Sequence, residues 1–544
     1  MKIPAGAVLP LAPFIAPRPA IRGALDAMSG SVSSVIRAAG PSASCDYFRQ
    51  PINHGNASLG SWNQLYCVNP EWWTGPGAPV VLMTPGEVPI GAAINSGGGY
   101  SFLSNTTTTG AYAQALGAAV VVIEHRYFGG SSPYDGFTAE TLQHLTMEQA
   151  AADIVNFANN VRFAFDQEQS SVASKTPWIY WGAAYAATLG SWIEHFHPGV
   201  FHAYHLSSAT VEVNMDNWYY YDTIGKGIDA YRGDTRCTSA LREVADYVDS
   251  FLLAADRNET QVQALKLYFG STFPIEDDDF AYSIATPFRY WEETGGTRAI
   301  LEMCDVVATL TEIDEHEILG TIPASVVSYA AYFRLFFRDS TCTYFDVWGQ
   351  QDPLWCLNTH DALNPFYTAR TLGNPWRTWY WFLCNEPLAS WATGAPPGTP
   401  SLVSRKIDSP YWQHQCELHF PATNGKHYGS DAAVGRTPEG LNKKTGGWSR
   451  KSKRVIWTSG EFDPWRATGM LSELRPGGPL ESTEDTAVFL IKNAQHADDS
   501  YTARGYANLG YRINPHVQEV QTRSLEIMQK WVAEYQSEKA SSST

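Results

Sequence analysis

The chain has 544 residues, of which 44% are hydrophobic and 17% charged; that balance excludes a mainly disordered polymer and suffices for one large domain or two coupled ones. Lys plus Arg number 38 against 55 Asp plus Glu, a formal charge of -17 with no compensating basic stripe, so nucleic acid is not an expected partner. No apolar run reaches the ~18–20 residues that cross a bilayer, and no membrane span is expected.

In chain order, residues 1–44 are rich in Ala, Pro, Gly and Ser and read as a leader or flexible arm. Met1-Lys2-Ile3 followed by apolar residues to Ala16 has the outline of a signal peptide, although Pro4, Pro10, Pro13 and Pro17 interrupt it. From Cys45 onward, short β-branched runs (Pro79–Met83, Ala118–Glu124, Trp178–Trp181, Ala203–Leu206) alternate with segments of helical period such as Thr146–Asp166. Strands alternating with helices predict a parallel sheet covered on both faces.

The alternation breaks over residues 212–442. There Tyr- and Trp-dense, helix-leaning pieces such as Ala240–Arg257 give way to loop-rich sequence around Thr393–Pro400. Strand patterns return at Arg454–Thr458 and Ala487–Ile491. A closing helix then places Val517, Val520, Ser524, Met528, Trp531 and Tyr535 at three- and four-residue steps. The economical division is an α/β domain over 45–211 and 443–536, interrupted by a helical insertion at 212–442, with a flexible tail at 537–544.

Three segments carry candidate chemistry. In Trp178-Ile-Tyr-Trp-Gly-Ala-Ala-Tyr-Ala-Ala-Thr-Leu-Gly-Ser-Trp192 a short apolar strand passes through small residues into a helix ending near His197-Pro198-Gly199. That is the layout of a nucleophile elbow, normally Gly-x-Ser-x-Gly, here Gly182, Ala183, Ala184, Tyr185 and Ala186. A methyl group stands where the nucleophile is expected. Later, a strand precedes the loop bearing Asp463, and the next strand precedes the loop bearing His496. Elbow, then acid, then base is the α/β-hydrolase order, in which the carboxylate fixes the imidazole tautomer and the imidazole takes the nucleophile's proton. Taken singly, Asp463 could cap a turn and His496 could be an ordinary loop histidine.

These residues, with Thr84-Pro-Gly-Glu87, Glu124-His-Arg-Tyr-Phe-Gly-Gly-Ser-Ser-Pro133, Ala203-Tyr-His-Leu-Ser-Ser-Ala209, Trp381-Phe-Leu-Cys-Asn-Glu-Pro387, Thr445-Gly-Gly-Trp448 and Asp463-Pro-Trp-Arg466, resemble the proline-specific serine peptidases. That family includes prolyl carboxypeptidase, its related lysosomal dipeptidyl peptidase and the fungal acid prolyl endopeptidases, to which the chain is most similar, from about residue 45 to 536. The resemblance implies an α/β-hydrolase fold with a large, mainly helical insertion domain roofing the active site. It implies that Ala184 occupies the position of the catalytic serine, with Asp463 and His496 as partners. Oxyanion-hole donors are implied at the Tyr185 N–H and at Gly86–Glu87. It further implies a proline-sized, aromatic-lined subsite, for which Trp465, Trp379, Trp381 and the neighbouring Glu386 are candidates, core packing being the alternative for the tryptophans. A disulfide between Cys384 and Cys416 is implied as well; the other pairings stay open. Proline-containing peptides are the implied partners, with no cofactor.

Two positions depart from the family. Alanine at 184 has no lone pair to attack a carbonyl, so acyl-enzyme chemistry cannot start there; Ala497 stands where the family often has Cys. No serine replaces the nucleophile in sequence, since Ser191 lies two helical turns on and Ser207 and Ser208 lie beyond the next strand. Three accounts stay open: a pseudoenzyme that keeps the peptide cleft, a Ser→Ala variant of an active peptidase, or hydrolysis by another nucleophile. A non-catalytic binding protein is the rival class.

For the compartment, eight cysteines without a CxxC pair or Cys/His cluster speak against structural zinc. With sequons at Asn56, Asn105 and Asn258 they favour an oxidising route, secreted or lysosome/vacuole-like. A cytosolic protein with buried thiols is the alternative.

Overall fold

Val80-Val-Leu-Met83 and Ala119-Val-Val-Val-Ile123 are apolar at every position because both faces of their sheet are covered. In the computed structural model, which describes residues 42–542 apart from 92–100, 273–274, 294, 345–352, 387–389, 424 and 432–434, eight strands form one sheet. They are β1 (Ser44–Pro51), β2 (Ser61–Asn69), β3 (Val80–Met83), β4 (Ala119–Ile123), β5 (Trp178–Ala183), β6 (Ala203–Ser207), β7 (Val455–Gly460) and β8 (Thr486–Ile491). Their order is β1-β2-β4-β3-β5-β6-β7-β8, parallel from β4 to β8, with the β1–β2 hairpin added antiparallel at one edge.

The period of two divides each strand between two cores. Val80 and Leu82 join one that holds Ile154 and Phe157 of helix α1 (Met147–Asn160) and Leu189 and Ile193 of helix α2 (Ala184–Phe196), and this core continues into the insertion. Val81 and Met83 join the other, with Met528 and Trp531 of the closing helix α3 (Pro515–Ser542). The stripe Val517, Val520, Ser524, Met528 and Trp531 is buried there. This is an α/β-hydrolase architecture.

Sequence and structure differ at both ends. The leader assigned to 1–44 lies outside the described residues up to 41, and Ser44 already starts β1. Neither β1 nor β2 is apolar enough to read as a strand; β1 has a largely exposed face, and Cys45 and Cys67, directly opposed in register, are joined across the pair. At the other end, α3 continues to Ser542, through most of the tail assigned to 537–544. Ser537-Glu-Lys-Ala540 carries no breaker, and an exposed run of tolerant residues extends a helix that packing has already nucleated.

Between β6 and β7 the described chain is mainly helical, with one small hairpin pairing Asp314–His316 with Gly320–Ile322. Three disulfides cross-link it: Cys237–Cys304, Cys342–Cys356 and Cys384–Cys416. The last is the pair implied by the family resemblance, and with Cys45–Cys67 all eight cysteines are bonded.

Candidate active site

Strand β5 passes into α2 with no intervening loop. The turn is tight enough that a Cβ on Gly182 would fall 2.6 Å from the Ala186 carbonyl oxygen, so only glycine fits. Ala184, the first helical residue, sits at φ 52, the left-handed region that costs an L-residue roughly 1–2 kcal/mol. In register, Ala183 faces Ser207, which faces Thr458, so the carboxyl ends of β5, β6 and β7 lie in one row. The acid and base loops leave from the same edge, where ligands of open α/β sheets bind.

Asp463 and His496 meet there. The imidazole Nδ1 is 2.9 Å from Asp463 Oδ1, with the carboxylate fully buried and the ring 13% exposed. The carboxylate also accepts from the Trp465 N–H at 3.0 Å and Ser459 Oγ at 3.1 Å. Burial opposes its ionisation, yet the charge and hydrogen bond of His496 hold its pKa below the usual carboxylate range. Burial likewise disfavours the imidazolium, but Asp463, then Glu292 and Glu87, raise His496 to about 9.

The loop at Gly86–Glu87 closes on the first turn of α2. Gly86 adopts φ 69, and a Cβ there would come 3.2 Å from Tyr185 Cδ1 and 3.5 Å from the Ala186 nitrogen. Backbone donors of the loop therefore sit beside the unpaired N–H groups that begin a helix. Burial pushes Glu87 up to about 7, against the charge of His496. Glu124 fixes this loop from behind, its carboxylate accepting the Ile90 N–H at 2.8 Å and Ser131 Oγ at 2.6 Å.

The aromatic candidates separate. Trp379 lies on helix α-Pro375–Asn385 with its ring 5.2 Å from Tyr185, whose hydroxyl is 2.9 Å from His125 Nε2. Trp465, half-buried, packs at 5.0 Å on Tyr220, and the Tyr220 hydroxyl bonds Glu292. Trp381 and Glu386 require correction. Two residues along a helix turn the side chain by about 200°, so Trp381 points away from Trp379. It is buried, donates to the Leu145 carbonyl at 3.0 Å and packs on Phe420. Glu386 accepts the Met147 N–H at the start of α1, and burial and the nearby Glu148 push it up to about 7. Both residues seat the insertion on α1.

Ser191 and Ser207 are unavailable as replacement nucleophiles: the first donates to the Thr188 carbonyl at 2.6 Å and the second to Asp499. Ser208, counted as remote from its sequence position, reaches the base loop instead. Its Oγ accepts the Ala497 N–H at 2.9 Å. The signal was the Ser-Ser pair ending β6; what hid its role is that the contact spans 289 residues. Tyr220 and Glu292, both in the insertion, gave no signal at all. Asn56 and Asn258 are exposed helix caps, whereas Asn105 is half-buried between Gln114 and Arg504. Among the described residues the one group with metal-ligand spacing is Asp278, Asp279 and His360, in the insertion and sharing no residue with this site.

The profile of the family described as Serine carboxypeptidase S28 matches residues 50–507. The chain belongs to the peptidase S28 family. Relatives within reach of that assignment include "Serine protease vicPb" of Bipolaris victoriae, 32% identical over 499 residues, 90% of this chain and 89% of the relative. "Thymus-specific serine protease" of Homo sapiens is 31% identical over 446 residues, 81% and 78% of the two chains. "Probable extracellular serine carboxypeptidase" of Arthroderma benhamiae is 24% identical over 532 residues, 94% of this chain and 70% of the relative. This S28 chain is therefore a serine-peptidase-like protein on an α/β-hydrolase fold, with disulfides throughout.

Proposed function

We propose that this S28 chain binds peptides with proline at P1 and, with Ala184 in place of serine, does not cleave them by acyl transfer. The observation that carries this reading is the intact Asp463–His496 pair at 2.9 Å beside an elbow still held at φ 52 although its side chain is a methyl group. In a serine form, His496 would take the hydroxyl proton and Asp463 would fix its tautomer. The Tyr185 N–H and a donor from Gly86–Glu87 would hold the developing oxyanion. With alanine no acyl bond can form, and only substrate binding and the oxyanion donors remain. His496, protonated below about pH 9, then acts as a hydrogen-bond donor toward a bound peptide.

Trp379, beside Tyr185, and Trp465, beside Asp463, are the walls we assign to the proline subsite. The four disulfides and the extracellular relative support a secreted or lysosome/vacuole-like location, with Asn56 and Asn258 as the most accessible glycan acceptors.

Cleavage of a proline-ended chromogenic peptide, followed from acidic pH up to about pH 10, where His496 has lost its proton, tests the reading, alongside calorimetric binding of the same peptide. The chain with Ala184 should bind without turnover, and Ala184→Ser should raise kcat/KM by at least about 10³-fold. Binding with both forms silent would favour a purely non-catalytic, partner-binding cleft. Turnover by the alanine form would overturn the proposal.

A further inference from the structure

Asp463 and His496 sit on loops that follow different strands, and β6, which lies beside β7, brings a third loop to the same place. Ser208, the first residue past β6, is 4% exposed and has φ 56. Its N–H donates to the Thr458 carbonyl of β7 at 2.8 Å. Its Oγ accepts the N–H of Ala497, the residue after His496, at 2.9 Å, and Ala497 is itself at φ 54. The same hydroxyl is among the groups that favour the ionised form of the Asp463 carboxylate. One residue thus bonds the backbone next to the base and the strand that leads to the acid. A backbone requirement alone would favour glycine at φ 56, so the serine side chain marks a demand for the hydroxyl.

We infer that Ser208 is a positioning residue whose hydroxyl ties the His496 loop to β6, while its N–H ties β6 to the strand leading to Asp463, and so sets the geometry of the acid–base pair. The inference rests on the reading of Asp463 and His496 as acid and base, but it does not need a nucleophile. Accepting from Ala497 anchors the peptide next to His496, and the imidazole that this peptide carries meets Asp463 Oδ1. Without the hydroxyl, the partly buried Ala497 N–H loses its partner, the loop relaxes, and the imidazole loses alignment with its carboxylate.

The test uses the full chain with Ala184. The His496 ring resonance, assigned by its loss in His496→Gln, is titrated by NMR in the parent, Ser208→Ala and Ser208→Gly. The groups facing the ring are Asp463, Glu87 and Glu292, and Asp498 faces Asp463; all are unchanged in these variants. Both variants should lower the His496 midpoint by roughly 0.5–1 pH unit. Ser208→Gly, at home at positive φ, should do so with Tm within about 2 °C of the parent. A His496 midpoint unmoved in Ser208→Gly, or one that moves only where Tm collapses, overturns the inference. In the Ala184→Ser background, Ser208→Gly should lower kcat about tenfold or more with KM within about twofold. If Ala184→Ser is itself silent, the proposed function fails while the titration still decides the role of Ser208.

Discussion

The strand edge and the helical insertion are held together by different means. Parallel strands β3 to β8 bury side chains on both faces and fix one another by backbone ladders, and the sheet's only disulfide joins its outer hairpin. The insertion has no comparable ladder among its described residues and carries three of the four disulfides together with aromatic clusters around Phe366, Tyr380 and His419. Chemistry-bearing groups therefore sit on the part whose geometry the backbone dictates. The candidate subsite walls on the insertion sit on a cross-linked cover instead. Of the seven non-glycine residues at positive φ among the described residues, Tyr127, Ala184, Ser208, Asn493 and Ala497 follow the carboxyl ends of β4, β5, β6 and β8, so backbone strain concentrates at that same edge.

That contrast can be broken in graded steps. Trp381→Ala should be the most damaging, because it empties a buried site and strands the Leu145 carbonyl where the insertion meets α1. A loss of about 3–5 kcal/mol is expected in denaturant unfolding. Removing Cys237–Cys304 by a double Cys→Ala change should cost about 2–4 kcal/mol, consistent with the 67-residue separation it closes. Differential scanning calorimetry should then show the insertion melting ahead of the sheet; a single unsplit transition would contradict their separate support.

A smaller effect comes from pH. The folded pKa of His496, about 9, lies above its unfolded value of about 6.5. Its stabilising contribution is therefore complete below about pH 6.5 and is lost as pH rises through 9, at most about 3 kcal/mol. Chemical denaturation at pH 6.5 and pH 9.5 should show that decline, and His496→Gln should flatten it. The smallest change expected is Trp379→Ala, which should weaken binding of a proline-ended peptide about tenfold with little loss of Tm. Equal behaviour of Trp379→Ala and Trp381→Ala would remove the distinction between wall and core.

Much of this was legible before any coordinates. Six of the eight strands announced themselves as β-branched runs because parallel strands are apolar on both faces, and the spacing of Val517 to Trp531 gave the closing helix its buried stripe. The half-polar β1 and β2 were not legible, because an edge hairpin needs only one apolar face. The Trp379/Trp381 ambiguity could not be resolved either, since composition does not reveal which side of a helix meets the rest of the molecule.

Residue order alone determined that an elbow, an acid and a base follow three different strands and that the elbow carries a methyl where an oxygen belongs. Those facts are local: the identity of a side chain and its place after a strand are properties of short segments. Tertiary structure alone decided that Ser208 bonds the peptide beside His496, that Trp381 and Glu386 bond the chain around the start of α1, and how the other cysteines of the insertion pair. Each of these depends on contacts between residues far apart in the chain, set by how helices rotate and strands align when the two cores close, and no short segment encodes that alignment by itself.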